Sequence, residues 1–262
     1  MTTNAILSQI AANIRAVGRQ ERQVITQAHF EIYLSAGALD WLSYATALDA
    51  PQPQWPEAIA AMTAAFARHG KRPRLEFVAD LHPDLGPALE QAGFVCESRA
   101  PLMALAMARL SPPPPQPPAA RYQRLADVDE PFLRDYLINQ SIAYGGSGGE
   151  DALDWLPNLQ KGLADGQVLG AALVQGEEII SGAVIQIGAG IGELAGVWSA
   201  PHQRGRGLAY ALCRQLLAEY AAAGFADCWL SAAEGAQRLY EKLGFTYVGV
   251  QVNFGMPRPA QV

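Results

Sequence analysis

Apolar residues recur along the start of the chain with the spacing of one helical face. Ile6, Ile10, Ile14 and Val17 follow one another at intervals of three or four residues, which predicts an amphipathic helix. No long apolar run accompanies them, so this stretch resembles neither a signal peptide nor a membrane-spanning segment. We therefore expect a cytoplasmic protein.

A different pattern occupies the chain after residue 120, where apolar and alternating runs are separated by turn residues. The runs predict strands and helices, the strands at 122–125, 167–175, 178–188, 192–199, 227–231 and 245–254 and the helices at 128–140, 150–163, 205–223 and 234–243. One strand and two helices come first, three strands follow, and strands and helices alternate only toward the end. This order is typical of a mixed α/β sheet that is antiparallel at first and parallel around the long helix.

Prolines dominate the stretch SPPPPQPPAA at residues 111–120. Proline cannot continue a helix or a central strand, and several in succession favour an extended spacer. We place the domain boundary here, with one domain at 1–110 and another at 121–262. The alternative interpretation is a proline-rich ligand for the groove of another protein.

Part of the second domain's pattern is repeated in the first. Residues 73–94 align without gaps on residues 224–245 as strand, turn, helix and Gly-Phe, although few positions are identical. In this alignment Leu89 takes the place of Tyr240, and the segment before the first domain's helix lacks a glycine-rich turn. The first domain is therefore predicted to be a degenerate copy that lacks the chemistry of the second.

Composition limits the partners of the protein. Half of the residues are hydrophobic and the formal net charge is -6, so the sequence gives no electrostatic reason to expect a nucleic acid or an anionic membrane. Most of the acidity lies after residue 120, which favours cationic or neutral small substrates. The three cysteines and four histidines are scattered without metal-ligand spacing, and we expect Cys213 to be a small buried hydrophobe and no metal site to exist.

The segment HQRGRGLA, which contains Gly205 and Gly207, stands where a strand is predicted to end and a long helix to begin. A helix N-terminus exposes unpaired amides and a partial positive charge, and glycines let a phosphate approach the backbone. Arg204 and Arg206 add positive charge. The spacing fits neither a P-loop nor a dinucleotide fingerprint, so we interpret it as a cradle for a diphosphate. A flexible turn with solvated arginines is the alternative.

Arg204, Gly207 and Ala209 match the R/Q-x-x-G-x-G/A signature of the GNAT superfamily of acyl-CoA-dependent N-acyltransferases, which this region resembles. The segment AQRLYEKLGF at 236–245 is similar to a second motif of that family, and the two motifs stand in the family's order. The resemblance implies two GNAT-like mixed β-sheet domains with flanking helices, arranged in tandem, of which only the second is equipped for acetyl-CoA. A family asparagine that binds the pantetheine arm is replaced here by Ala233.

The resemblance also implies where acetyl-CoA binds, in a slot where the strand ending at Ser199 splays from the parallel strand of Trp229 and Leu230. The residues implied to contact it are Val197, Trp198, His202, Gln203, Arg204, Gly205, Arg206, Gly207, Leu208 and Ala209. Backbone amides along 194–198 would pair with the pantetheine arm and polarise the acetyl carbonyl.

Two residues are candidates for the proton transfers of acetyl transfer. Tyr240 is the candidate acid that protonates the leaving thiolate, and Glu193 is the candidate base, acting directly or through water. The alternatives are that Tyr240 is an amphipathic packing residue and that Glu193 is a solvated carboxylate at a strand start.

The segment between the second domain's first two helices carries candidate substrate residues. Tyr144, Glu150, Asp151 and Trp155 surround a glycine-serine loop, and an aromatic and acidic set could hold an ammonium group. Helix dipole stabilisation and packing explain the same residues, so the amine is left open.

These observations lead to an N-acetyltransferase that acts by direct transfer to the primary amine of a small molecule or peptide. The alternative is a non-catalytic acyl-CoA-binding or regulatory module. The first domain could bind the acceptor or form the surface of a homodimer.

Overall fold

The structure is a computed structural model that describes residues 2–20, 22–36, 42–49, 54–110 and 120–258. The α-helices of these residues are α1 (Thr3–Arg19), α2 (Trp55–Arg68), α3 (Leu85–Gln91), α4 (Glu130–Ala143), α5 (Leu156–Ala164), α6 (Leu208–Ala222) and α7 (Gln237–Leu243). The strands are β1 (Gln23–Gln27), β2 (Phe30–Leu34), β3 (Tyr44–Ala47), β4 (Arg74–Val78), β5 (Val95–Ala106), β6 (Arg121–Arg124), β7 (Val168–Gln175), β8 (Glu178–Gly188), β9 (Ile191–Ser199), β10 (Asp227–Ser231) and β11 (Thr246–Gly255).

Two compact units make up the chain. The first unit comprises Met1–Leu102, Ser231–Glu234 and Tyr247–Val262, and the second comprises Met103–Leu230 and Gly235–Thr246. A single cut at residues 111–120 does not reproduce this division, because β11 belongs to the first unit and β5 runs from the first unit into the second. The predicted linker itself lies outside the described residues except for Ala120.

In the first unit the strands follow the order β1, β2, β3, β4, β11. Every pairing is antiparallel except that of β3 with β4. β11 takes its place because Gln251 pairs with Val78 and Gly255 with Arg74, and because Phe254 stacks on Phe77 in the core. The predicted first helix is confirmed as α1.

In the second unit the order is β5, β10, β9, β8, β7, β6. Strands β6 to β9 pair antiparallel and β9 pairs parallel with β10, which confirms the predicted mixed α/β sheet. Helices α4 and α5 pack on one face around Tyr136, Leu159 and Trp198. Helix α6 covers the other face, where a Cβ on Gly192 would lie 2.8 Å from the Tyr220 ring.

The repeated segments both fold as strand, helix and strand, β4–α3–β5 in one case and β10–α7–β11 in the other. The residues at the equivalent helix position, Leu89 and Tyr240, are both buried. A family relationship between the two halves stays a prediction.

None of the helices in the described part of the chain is both long and apolar enough to cross a bilayer.

Candidate active site

Strands β9 and β10 of the second unit separate soon after they meet. Their parallel pairing joins Gly192 to Cys228 and Glu193 to Trp229, and no further partner pair follows although both strands continue. After Glu193, β9 therefore has no further partner residue in β10. Such an opening beyond the carboxyl ends of parallel strands is where ligands bind in open α/β sheets.

A β-bulge lies in β9 beside this opening. In the pairing with β8, Ala195 faces Val184 and Trp198 faces Gly182, so two residues of β9 stand against one of β8. The two residues of β9 in this bulge are Gly196 and Val197. Gly196 has a φ of 59°, a left-handed conformation that favours glycine.

Helix α4 and its C-cap residue Tyr144 donate two hydrogen bonds to the bulge. The Gln140 amide Nε2 donates to the Gly196 carbonyl at 3.2 Å, and the Tyr144 hydroxyl donates to the Val197 carbonyl at 3.0 Å. The two side chains are four positions apart, which places them on the same helical face. Tyr144 was predicted as a substrate residue, and Gln140 was not predicted, because its spacing from Tyr144 is the only signal for it in the sequence.

The segment after β9 forms the predicted turn. Pro201–Gln203 is a 3-10 turn, and Gly205 and Gly207 both have a φ of 76° with open space where a Cβ would stand. Helix α6 begins at Leu208 instead of Gly205, because two left-handed residues cannot continue a helix. Gly207 is the N-cap and supplies no side-chain acceptor, so the first amides of α6 lack a side-chain partner there.

The arginines and the histidine of this turn are exposed, but each has a polar partner. The Arg204 guanidinium donates to the Ala143 carbonyl at the end of α4, at 2.6 Å. Arg206 donates to the Gln203 side chain, which is itself buried. His202 lies 3.0 Å from Glu178. The backbone of the turn, together with the open space at both glycines, fits a diphosphate.

Two further predicted cofactor residues turn their side chains inward. Trp198 is buried and packs edge to face against Tyr136, with the ring centroids 5.6 Å apart. Leu208 is also buried. These two could therefore contact a cofactor in the opening only through the backbone. Ala209 follows Leu208 in the first turn of α6.

Tyr240 lies on α7 and is 7% exposed, with its ring 6.1 Å from that of Phe245. Burial raises the pKa of its phenol above the ordinary value, and the nearby Cys213 and Tyr144 raise it further. The group is therefore protonated at neutral pH. It can donate a proton or a hydrogen bond but cannot act as a base.

Glu193 occupies the last position of β9 that pairs with β10. It is partly buried and, by strand alternation, shares a face with Ala195, which packs against the α4 and α5 core. Its carboxylate acts electrostatically on the thiol of Cys228. The structure thus puts the candidate base at the point where the two strands part.

Two of the three cysteines lie in the core of the second unit. Cys213 and Cys228 are fully buried, and burial raises the pKa of the Cys213 thiol to about 12. The prediction that Cys213 is a small buried hydrophobe is confirmed. Within the described ranges, no cluster of His, Cys, Asp and Glu is arranged to hold a metal ion.

The candidate substrate residues are divided between surface and core. As a whole residue Tyr144 is 61% exposed, but its hydroxyl is turned to Val197, and desolvation of the hydroxyl there raises the pKa of Tyr144 to about 12. Glu150 and Asp151 begin an exposed 3-10 turn at Glu150–Leu153. Trp155 is half-buried against the α4 and α5 core, which agrees with the alternative that it is a packing residue. A role in substrate binding stays a prediction for all four.

Comparison with known proteins gives one family and several similar structures. Residues 132–245 match the model of the acetyltransferase (GNAT) family. A GCN5-related N-acetyltransferase from Kribbella flavida is 22% identical, with a TM-score of 0.78, over 98% of this chain and 97% of that one. A GCN5-related N-acetyltransferase from Sphaerobacter thermophilus is 18% identical, with a TM-score of 0.68, over 98% of this chain and 94% of that one.

A GCN5-related N-acetyltransferase-like protein from Streptococcus suis is 14% identical, with a TM-score of 0.58, over 97% of this chain and 100% of that one. At these identities the likeness concerns the fold, and it extends over both compact units. No curated protein sequence matches the chain.

Proposed function

We propose that this protein is an N-acetyltransferase that uses acetyl-CoA and acts on a primary amine. The match of residues 132–245 to the acetyltransferase (GNAT) family supports this proposal. The observation that carries the proposal is the opening between β9 and β10, which stands next to the turn of Gly205 and Gly207 at the start of α6. A strand edge and a helix N-terminus side by side suit a ligand that has an amide-bearing arm and a diphosphate.

The backbone supplies most of the proposed cofactor contacts. The amides of the turn and of the first residues of α6 would receive the diphosphate, with the helix dipole adding to the attraction. Open space at both glycine Cβ positions allows that approach. Arg204 keeps the turn in place through its bond to Ala143 and has one guanidinium nitrogen committed to that carbonyl.

Acetyl-CoA supplies an activated thioester carbonyl. In the proposed reaction the amine nitrogen bonds to the acyl carbon, the carbon–sulfur bond breaks, the amine loses one proton and the sulfur gains one. Glu193, directly or through water, accepts the proton from the amine. Tyr240 donates the proton to the sulfur, and its raised pKa keeps that proton available throughout the neutral range.

A screen of primary amines tests the proposal. Release of free CoA from acetyl-CoA is followed with a thiol reagent, and any product is weighed by mass spectrometry. We expect at least one amine to gain one acetyl mass with matching thiol release. Calorimetric binding of CoA without turnover on any amine would favour the non-catalytic acyl-CoA-binding module, and absence of CoA binding would contradict both.

A further inference from the structure

The carbonyl of Gly196 is held by a side chain that no known motif of the site includes. Gln140 Nε2 donates to it at 3.2 Å, and a Cβ on Gly196 would come within 2.7 Å of the same nitrogen. The Gln140 amide therefore lies directly over the bulge. It fixes the direction of one peptide group in the strand that borders the opening.

The direction of that peptide group follows from the planarity of the bond. In a trans peptide the C=O of one residue and the N–H of the next point in opposite directions. Since the Gly196 carbonyl points to α4, the N–H of Val197 points away from α4. Helix α6 packs on that opposite face of β9, where Tyr220 lies against Gly192.

The peptide group that joins Val197 to Trp198 is held by other contacts. Ala200 N–H donates to the Ile180 carbonyl of β8, and two residues earlier Trp198 pairs with Gly182. In an antiparallel ladder every second residue bonds to the same neighbour, so Trp198 N–H points to β8 and the Val197 carbonyl points away from it. Tyr144 reaches this carbonyl at 3.0 Å. Gln140 is thus the contact that orients the Val197 amide.

We propose that Gln140 is a positioning residue that turns the Val197 N–H toward the acyl carbonyl in the opening between β9 and β10. The inference rests on the proposed function, because it takes acetyl-CoA as the ligand. A fixed N–H stabilises negative charge on a carbonyl oxygen without reorganising during the reaction. The bond from Gln140 also polarises the same peptide and strengthens the N–H as a donor. Gln140 itself touches no reacting atom.

Gln140→Met tests this role, since methionine has a similar length but donates no hydrogen bond. Infrared spectra of acetyl-CoA labelled with ¹³C at the thioester carbonyl report on the hydrogen bond directly. We expect the carbonyl band to move to lower wavenumber when wild type binds the ligand, and this shift to be reduced or lost in Gln140→Met. Affinity for CoA, which lacks the acyl group, should change less than about twofold, whereas kcat should fall about 10- to 100-fold.

Gln160→Met is the matched control, because Gln160 lies on α5 and its side-chain amide donates to the exposed Glu130 carboxylate at 3.2 Å. It should leave the band and kcat unchanged. Gln140→Glu is a second variant in case the first is unstable. Its carboxylate cannot donate to the carbonyl at neutral pH, so the infrared shift should again be lost.

The outcomes separate the two proposals. If wild type binds acetyl-CoA and shifts its band, but Gln140→Met and Gln140→Glu shift it equally, the positioning role is wrong and the proposed function stands. If wild type binds neither CoA nor acetyl-CoA, the proposed function fails and this inference fails with it.

Discussion

The buried phenol of Tyr240 has a raised pKa, so it is a weak acid that keeps its proton at neutral pH. We expect Tyr240→Phe to lower the rate of CoA release at least about 100-fold, the usual contribution of a positioned acid, while CoA affinity stays within about twofold. Stopped-flow thiol detection and calorimetry measure the two quantities. Tyr247→Phe is the control, because Tyr247 is 62% exposed and lies in the first unit. Unchanged CoA release in Tyr240→Phe would show that another group protonates the thiolate.

Gly207 has a left-handed backbone conformation and leaves open the space proposed for the diphosphate of CoA. An alanine at a φ of 76° costs about 1–2 kcal/mol and places a methyl group in the space proposed for the diphosphate. We expect Gly207→Ala to weaken CoA binding at least about tenfold, measured by calorimetry.

The matched control is Gly166→Ala, at a turn after α5 with a φ of 69° and equally open space. It should lose similar stability in urea unfolding but bind CoA as wild type does. Equal binding by Gly207→Ala and wild type would place the diphosphate elsewhere.

The three cysteine thiols differ in exposure, and titration with a thiol reagent measures the difference. Cys96 is exposed, whereas Cys213 and Cys228 are buried and their pKa values are raised by burial. A neutral buried thiol reacts slowly. At pH 8 we expect one of the three thiols to react rapidly with a disulfide reagent in the native protein and all three after unfolding. Rapid reaction of a second native thiol would mean that α6 or β10 opens readily.

At the scale of elements, α4 supports the bulge and depends on its own N-terminus. The Asp129 carboxylate accepts from the Phe132 amide at 3.1 Å as the N-cap. Asp129→Ala should destabilise the protein by about 0.5–2 kcal/mol in urea unfolding. Asp135→Ala, at an exposed position of the same helix, removes the same charge and should cost much less. Similar losses for both variants would show that charge and not capping is responsible.

Sequence periodicity predicted most elements because each repeats its burial pattern over several residues. β8 was predicted with the bounds that the structure has, and β9 within one residue. The bulge at Gly196 was not predicted, although it shifts the alternation of β9 by one residue, so that Ala195 and Trp198 both pack on the α4 and α5 core. Most residues of β9 are apolar, which hides this shift in the sequence. The bond from Gln140 was missed for a related reason, because it depends on where a distant helix is placed.

At the scale of the whole molecule, the exchange of strands was also not predicted, because strand partners are not encoded in local pattern. Residues 1–110 contain Met103–Leu110 of the second unit, and residues 121–262 contain β11 of the first. A protease site inserted within 111–119 should therefore leave one particle after cleavage, with both fragments in a single peak on size exclusion. Residues 121–262 expressed alone should fail to unfold cooperatively. Two separately folded fragments would contradict this.

The membership of β11 in the first unit has a consequence for biosynthesis. Its pairing with β4 joins residues that are more than 170 positions apart, as between Val78 and Gln251. At the usual pace of about 5–20 residues per second, a ribosome takes on the order of 10–35 s to cover that span. During this interval β4 has an open edge that a neighbouring nascent chain could occupy, so a holding chaperone should increase the yield of monodisperse protein.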